Sequence, residues 1–347
     1  MSDTDPNPAT LPPVRDAWFV TGPTAAGKTQ VGLALALRIN AEIISLDSMA
    51  VYQGMDIGTA KPTRAERERV PHHLLDVVSP DRDYSLSEYV AAAHAAIADI
   101  RGRGREVLFV GGTPLYLKSL LRGVYGGPPA DWEFREQIER ELETLPLAAL
   151  HQRLEVIDPL LAARLHPHDK RRIIRGLEVF RLTGQRLSHL QVQFDEAQPP
   201  GQAQVFVLTW PRDTLHQRLE ARVEAMFAAG LVDEVRGLLA KYQSLSRTAQ
   251  QAVGYREVVE WLGTEAASNT PTRSVSKGGH EPGNRGHEPG VRIQESVAEC
   301  IERVKARTRQ FARRQETWFK SLSECTAVPM VEGESPDETA RRILAPH

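Results

Sequence analysis

The sequence is poor in cysteine and has no long apolar run. Its 347 residues include two cysteines, Cys300 and Cys325, and neither belongs to a C-x-x-C pair. We therefore expect neither a disulfide framework nor a structural zinc site, and we expect the protein in the reducing cytoplasm. No apolar stretch is long enough to span a bilayer, and residues 1–16 lack the basic start and apolar run of a signal peptide. No membrane contact is predicted.

The sequence also has almost no excess of charge of either sign. Lys and Arg together number 43 against 45 Asp and Glu, which gives a formal net charge of -2. A nucleic-acid partner would therefore have to be held by local basic patches. Hydrophobic residues make up 41% of the chain, which suffices for a packed core, and the length predicts about two domains. Because nothing indicates a coiled coil or a large exposed apolar face, we expect a monomer.

Buried strands alternate with helices along much of the chain. Such alternation predicts an α/β fold whose core is a parallel sheet with helices on both faces. The predicted strands are Trp18–Thr21, Glu42–Leu46, Glu106–Val110 and Gln204–Thr209. The predicted helices run from the end of a glycine-rich loop to Ile39, over Ser87–Arg101 and Thr214–Lys241, and from Ile293 to about Phe319.

Two proline- and glycine-rich breaks divide the chain. Gly126-Gly-Pro-Pro129 and Pro199-Pro-Gly201 bracket a segment that is helical in pattern and has no strand candidate. We interpret it as an all-helical domain inserted into the α/β core. The predicted organisation is a disordered tail at 1–16, a core formed by 17–127 and 202–347, a helical insertion at 128–201, and a disordered, low-complexity insert at 265–290.

A phosphate-binding loop follows the first strand. The segment Gly22-Pro-Thr-Ala-Ala-Gly-Lys-Thr29 fits the pattern G-x-x-x-x-G-K-[ST] and lies between a strand and a helix, as this loop requires. Its glycines allow backbone N–H groups to surround an anion, and the helix that follows adds the positive end of its dipole. The predicted diphosphate- or nucleotide-binding residues are Gly22, Pro23, Thr24, Ala25, Ala26, Gly27, Lys28 and Thr29, with Mg²⁺ on the Thr29 hydroxyl.

The strand that usually ends in a magnesium-binding aspartate in nucleotide hydrolases differs here. The strand at Val107–Val110 runs into Gly111-Gly-Thr113, whereas the strand before it ends at Asp47. An aspartate in that position lies at the carboxyl edge of the sheet, beside the phosphate loop. We therefore consider Asp47 a candidate catalytic base, although a cap or a Mg²⁺ ligand remains an alternative.

Seven motifs together resemble the tRNA dimethylallyltransferase (tRNA isopentenyltransferase) family, in the expected order over about residues 18–320. They are Gly22–Thr29, Asp47-Ser-Met-Ala-Val-Tyr-Gln-Gly-Met-Asp-Ile-Gly-Thr-Ala-Lys-Pro62, Val70-Pro-His-His73, Gly111-Gly-Thr-Pro-Leu-Tyr116, Asp169-Lys-Arg-Arg-Ile-Ile-Arg175, Gly254-Tyr-Arg-Glu257 and Thr308-Arg-Gln-Phe-Ala-Arg-Arg-Gln315. The chain departs from the family at Ala26, where serine is frequent, at Pro114, where glycine is common, and in the length of its 265–290 insert. It lacks the cysteine-histidine finger of some eukaryotic relatives, which indicates the bacterial type.

The resemblance implies a reaction and the residues that perform it. Members transfer a dimethylallyl group from dimethylallyl diphosphate to the exocyclic N6 amine of the adenosine 3′-adjacent to the tRNA anticodon, and release diphosphate. It implies that Asp47 is the general base, that Arg256 contacts the diphosphate and that Thr113 contacts the target nucleotide. From the residues alone, a surface ion pair is the alternative for Arg256, and Thr113 could also cap a helix.

The same resemblance implies contacts with the anticodon stem-loop of tRNA. Basic residues cluster at the start of an insertion helix and along the helix near the C-terminus, although a charge run alone is more often a solvated face. The predicted tRNA-binding residues are Asp47, Ser48, Met49, Ala50, Thr113, Arg135, Arg171, Arg172, Ile173, Ile174, Arg175, Arg307, Arg309, Arg313 and Arg314. His72 and His73 are interpreted as loop residues and not as metal ligands.

Two other functions are compatible with the phosphate loop. A P-loop kinase that phosphorylates a small molecule with ATP would account for Gly22–Thr29, Asp47 and a helical lid. It leaves the basic C-terminal helix without a role. An RNA-binding protein that uses a nucleotide as a switch is the third hypothesis, and it predicts tRNA binding without a prenylated product.

Overall fold

The core of the protein is a parallel β-sheet. The computed structural model describes residues 11–123, 126–191, 204–268 and 296–345, with only the backbone of 265–268. Within these ranges the sheet has the strand order β3-β2-β4-β1-β5-β6, and all neighbouring strands are parallel. The strands are β1 (Trp18–Thr21), β2 (Ala41–Ser45), β3 (His72–His73), β4 (Glu106–Val110), β5 (Gln204–Thr209) and β6 (Cys325–Pro329). The predicted α/β class is confirmed.

Helices cover both faces of this sheet. They are α1 (Lys28–Ile39), α2 (Arg64–Arg69), α3 (Leu86–Gly102), α4 (Pro114–Arg122), α5 (Trp132–Glu141), α6 (Leu147–Ile157), α7 (Pro159–Arg164), α8 (Lys170–Thr183), α9 (Leu187–Leu190), α10 (Arg212–Ala228), α11 (Leu231–Tyr242), α12 (Tyr255–Ser268), α13 (Val297–Lys320) and α14 (Pro336–Leu344). On one face α3 and α4 bury Tyr89 and Leu117 against Phe109. On the other, α1 and α14 pack around Leu33 and Ile343. The sheet is thus buried on both sides, as parallel sheets are.

The insertion between α4 and β5 has its own hydrophobic core. Helices α5 to α8 contribute the apolar cluster that includes Phe134, Ile138, Leu154 and Leu177. After it the chain returns to the sheet, because β5 pairs with β1 over four residues starting at Trp18 and Gln204. A separate apolar cluster and a return of the chain to the same sheet are both expected of a helical unit inserted into an α/β core.

Several details differ from the sequence expectations. The segment from Thr214 to Lys241 is not one helix, because Gly230 adopts a left-handed conformation (φ 97°) and separates α10 from α11. Residues 11–16, assigned above to a disordered tail, pack on the core: Val14 is buried and its N–H donates to the Leu120 carbonyl at 2.7 Å. Residues 1–10 lie outside the described ranges.

The low-complexity insert and the His72–His73 pair also differ from the sequence expectations. Residues 265–268, the start of the expected 265–290 insert, continue α12, and 269–290 lie outside the described residues. The His72–His73 pair forms the edge strand β3, where the Nε2 of His73 lies 2.7 Å from the Glu42 carboxylate, which accepts a hydrogen bond from the ring. No helix in the described ranges has the combination of length and apolar character that crossing a membrane requires.

Candidate active site

A cleft opens where β1, β2 and β4 end. Since parallel strands present their carboxyl ends at one edge of the sheet, this edge collects the phosphate loop after β1, Asp47 after β2 and Thr113 after β4. Helices α10 and α13 close the other side with Arg222, Val304 and other residues. The cleft has a volume of about 350 Å³, which is in the range of small-molecule sites.

The phosphate loop is held in place from outside the cleft. Gly22 has φ 141° and lies so close to β5 that a Cβ would approach the Leu208 carbonyl oxygen to 2.6 Å, so only glycine fits. The Trp210 indole N–H donates to the Ala26 carbonyl at 3.1 Å. The Arg218 Nε–H donates to the Ala25 carbonyl at 2.9 Å. These two hydrogen bonds hold the loop from the side of α10 and the end of β5.

Two cations face the cleft without a carboxylate partner. Lys28 Nζ donates to the carbonyls of Gly22 and Pro23, at 3.0 and 2.8 Å. Burial and the nearby Arg222 guanidinium, opposed by Asp47, lower the pKa of Lys28 to about 7. Burial also lowers the pKa of Arg222, against the attraction of Asp47. Across the described part of the chain no carboxylate pairs with either side chain, so together they form a site for an anion.

This arrangement predicts that anion binding takes up a proton. At a pH above about 7 the Lys28 amine is largely neutral in the free protein, and a bound diphosphate favours its charged form. Affinity for dimethylallyl diphosphate should therefore fall between pH 7.5 and 9, where the diphosphate is ionised throughout, by up to about tenfold per pH unit. Calorimetry in buffers of different ionisation enthalpy should show uptake of close to one proton at pH 8.5. A pH-independent affinity, or no loss of proton uptake in Lys28→Met, would contradict this assignment.

Asp47 and Thr113 organise the opposite wall. Asp47 Oδ1 accepts the N–H groups of Met49 and Ala50, at 2.8 and 3.3 Å, which leaves Oδ2 for another partner. Thr113 Oγ1 accepts the Ser48 N–H at 3.0 Å. Thr113 precedes α4 but its side chain makes no capping hydrogen bond to that helix. Its hydroxyl therefore ties β4 to the segment from Asp47 to Ala50, and the predicted nucleotide-facing residues lie together.

The structure places Arg256 away from this cleft. Arg256 is exposed, and its Nε donates to Glu260 Oε1 at 2.9 Å, one turn further along α12. The reason is helical geometry, because α12 buries Tyr255 and Val258 and so turns residue 256 to the opposite side. The surface ion pair that the sequence left open is the arrangement found. Arg222 on α10 occupies the position beside Lys28 instead.

The predicted tRNA contacts on α5 and α8 divide into buried and exposed groups. Glu178 is fully buried and accepts Nε of Arg135 at 2.7 Å and Nη1 of Arg175 at 2.5 Å. Burial opposes its ionisation, but these two guanidinium groups hold the pKa of Glu178 below its ordinary value. Ile173 and Ile174 are buried in the insertion core, which removes their side chains from any RNA contact, whereas Arg171 and Arg172 are exposed.

The basic side chains of α13 lie at different distances from the cleft. Arg314 lines it, and Arg307 and Arg313 are exposed on the helix surface. Arg309 pairs with Glu220 of α10 at 2.6 Å, which fastens the two helices that close the cleft. The four arginines thus combine one cleft residue, two surface residues and one structural ion pair.

Two residues of this site were missed in the sequence. Arg222 belongs to no recognised motif. The sequence signal that could have pointed to it is its i,i+4 spacing from Arg218 on the helix after β5. Gln315 was part of a quoted motif without a role. It is 4% exposed, and its side chain joins the phosphate loop to the β4–α4 loop.

A magnesium ion has few protein ligands available here. Thr29 lines the cleft beside the phosphate loop and offers a hydroxyl. Among the described residues there is no group of three or more histidine, cysteine or acidic side chains that could hold a metal ion. Mg²⁺ commonly binds through substrate phosphate oxygens and water with one or two protein oxygens, and this donor set fits that mode.

Family models match most of the chain. The model described as IPP transferase matches residues 50–322, and the one described as isopentenyl transferase matches residues 15–82. The chain is 47% identical over 331 residues to the tRNA dimethylallyltransferase of Rhodopirellula baltica, which covers 93% of this chain and 90% of that protein. It is 42% identical to that of Geobacter metallireducens, over 88% of this chain and 90% of the relative.

Solved structures of similar proteins share the fold. The tRNA isopentenylpyrophosphate transferase of Bacillus halodurans is 32% identical, with a TM-score of 0.63 and 95% of each chain covered. A eukaryotic dimethylallyltransferase, solved in crystallographic snapshots of its action on tRNA, is 26% identical with a TM-score of 0.71. That match covers 95% of this chain and 77% of the other. With both family models and these relatives in agreement, the chain belongs to the tRNA dimethylallyltransferase family of prenyltransferases.

Proposed function

We propose that this protein transfers a dimethylallyl group from dimethylallyl diphosphate to the N6 amine of the adenosine 3′-adjacent to the anticodon of tRNA. The observation that carries the proposal is one cleft in which the unpaired cations Lys28 and Arg222 face Asp47. A binding site for an anionic leaving group and a proton acceptor thereby lie in the same cleft, which is what alkylation of an amine by a diphosphate ester needs.

The diphosphate side consists of Lys28, Arg222 and the phosphate-loop N–H groups. The bond between the allylic carbon and its oxygen breaks as the new C–N bond forms, so negative charge grows on the diphosphate. Fixed cations and N–H groups placed there stabilise that charge more than the charge of the ground state. We assign to Arg222 the diphosphate contact that the family resemblance implied for Arg256.

The acceptor side consists of Asp47 with Ser48 and Thr113. The N6 amine is weakly nucleophilic because its lone pair is delocalised into the adenine ring, and it must lose a proton as it is alkylated. Asp47 Oδ1 is engaged by two backbone N–H groups, so Oδ2 is the oxygen we assign to accept that proton. To reach it the adenine must leave the anticodon-loop stack, which costs less in a loop than in a duplex.

The remaining tRNA contacts are proposed for exposed arginines. Arg171 and Arg172 on the insertion, and Arg307, Arg313 and Arg314 on α13, are free of the buried Glu178 network and suit phosphate groups. Arg135 and Arg175 position the insertion through Glu178. We propose the anticodon stem-loop as the bound part, the cytoplasm, where tRNA is found, as the place of reaction, and a monomer as the active form, because one chain supplies every group named.

Magnesium is proposed as the cofactor. Thr29 would hold it together with the diphosphate, and the ion would supply positive charge that assists departure of the leaving group. Lys28 and Arg222 bind and orient the diphosphate in the same cleft.

The test is a prenyl-transfer assay without ATP. Purified protein, Mg²⁺ and labelled dimethylallyl diphosphate are mixed with an unmodified anticodon stem-loop, and label in the RNA is counted. A matched RNA with guanosine in place of the adenosine next to the anticodon is the control. Label in the first RNA and none in the second is expected. Labelling of both RNAs would refute the site of transfer.

The same assay separates the alternative functions. Failure to label RNA by a folded protein that consumes ATP would favour the small-molecule kinase. Failure to label RNA that the protein nevertheless binds would favour the nucleotide-switched RNA-binding protein. The family relationship does not favour either.

A further inference from the structure

Gln315 is a buried amide between two loops of the cleft. It projects from α13, is 4% exposed, and both ends of its side chain are engaged. Its Oε1 accepts the Thr24 N–H at 2.9 Å, and its Nε2 donates to the Gly112 carbonyl at 2.6 Å. A side-chain amide offers an acceptor and a donor on one planar group, so it can satisfy both loops at once.

The two loops belong to opposite sides of the proposed reaction. Thr24 is in the phosphate loop, whereas Gly112 directly precedes Thr113, whose hydroxyl holds the Ser48 N–H. The space between them is fully used, because a Cβ on Gly112 would lie 2.8 Å from Gln315 Nε2 and 3.2 Å from Lys28 Nζ. Because the Thr24 N–H donates to Gln315, it is not among the phosphate-loop N–H groups that could bind an anion.

We infer that Gln315 is a positioning residue that fixes the phosphate loop relative to the loop carrying Thr113. This inference rests on the proposed function, since it assumes the diphosphate at one loop and the target adenosine at the other. Alkylation by displacement requires the acceptor amine in line with the breaking carbon–oxygen bond, and a shift of about 1 Å in either loop can cost about a hundredfold in rate. Gln315 acts through the two loops, because both polar ends of its side chain are bound to them.

The test replaces Gln315 and a matched glutamine on the same helix. Gln315→Met keeps the length of the side chain but removes both hydrogen bonds, leaving the Thr24 N–H and the Gly112 carbonyl without partners. Gln310 is exposed on α13, and within the described residues its side chain accepts one hydrogen bond, from Arg307 at 3.4 Å, so Gln310→Met is the control. Donor KM, kcat, tRNA affinity and thermal unfolding are measured for each variant.

For Gln315→Met we expect a donor KM raised about tenfold and a kcat lowered about tenfold or more, with tRNA affinity within about twofold of the original protein. Gln310→Met should leave all four quantities unchanged. A variant that merely folds less well would show fewer active molecules with an unchanged donor KM, and that result would overturn the inference. So would unchanged kinetics.

A second variant covers the case in which Gln315→Met does not fold. Gln315→Asn retains a polar amide but is one methylene shorter, so it reaches only one of the two loops, and we expect an intermediate increase in donor KM. An unchanged donor KM in Gln315→Asn would then overturn the inference. If the unaltered protein labels no RNA, the proposed function itself fails. This result differs from an unchanged donor KM in Gln315→Met or Gln315→Asn, which would overturn only the inference about Gln315.

Discussion

Replacing Asp47 with asparagine is expected to lower turnover by about a hundredfold or more, the usual scale for a general base. Asparagine keeps the Oδ1 atom that accepts the N–H groups of Met49 and Ala50, so the loop should hold its shape. It cannot take up a proton from the amine. Single-turnover labelling at saturating donor and RNA measures the chemical step, and filter binding measures RNA affinity, which should stay close to that of the unaltered protein.

The alanine variant provides the second half of this test. Asp47→Ala removes the proton acceptor and also the acceptor of both backbone N–H groups. It should lose at least as much turnover as Asp47→Asn and still bind tRNA, because the proposed phosphate contacts lie on α8 and α13. A near-normal rate in either variant would exclude Asp47 as the general base. The proton acceptor would then be solvent or another carboxylate.

Replacing Arg222 with glutamine is expected to lower kcat/KM for dimethylallyl diphosphate by about 10- to 150-fold, the range for hydrogen bonds to charged groups. Arg222 has no carboxylate partner in the described ranges, so its removal leaves no protein charge unpaired and the loss falls on substrate. Arg222→Lys should recover part of the loss, because it restores the charge but not the planar pair of donors. Steady-state kinetics with varied donor concentration measures both.

Arg256 is the matched control for Arg222. Its exposed i,i+4 ion pair with Glu260 contributes little, so Arg256→Gln should change kcat/KM by less than about twofold. The opposite pattern, a large effect at Arg256 and a small one at Arg222, would mean that the sequence-based assignment was right and that α12 rearranges around the bound donor. Measurements on the two variants under identical conditions therefore decide between the two arginines.

The central strands were predictable from sequence, whereas the edges of the sheet were not. β1, β4 and β5 occupy the predicted residues because each is a continuous apolar run buried on both faces. Edge strand β6 buries only Val328 along its length, so no apolar run marks it. Helix α14 did carry a signal, the capping box formed by Ser335 and Glu338, which the apolar pattern alone did not identify.

The residues of the candidate site were likewise predictable from the sequence only in part. Continuous motifs predicted the phosphate loop, Asp47 and Thr113, because their spacing along the chain fixes them at the ends of neighbouring strands. Arg222 and Gln315 reach the cleft from helices about 200 and 290 residues beyond the loop. Which face of such a helix meets the cleft depends on packing with the rest of the protein, and sequence spacing does not report it.

By itself the sequence determined the α/β class and, through its motif series, the family, and it predicted the helical insertion and the phosphate loop. These follow from local rules, since periodicity, turn residues and motif spacing act over short stretches of chain. Only the tertiary structure decided which cations lack a carboxylate partner. Arg135, Arg175 and Arg256 meet Glu178 or Glu260, whereas Lys28 and Arg222 meet none within the described part of the chain. The physical reason is that ionic pairing depends on distance in space, and folding brings together residues that the sequence separates.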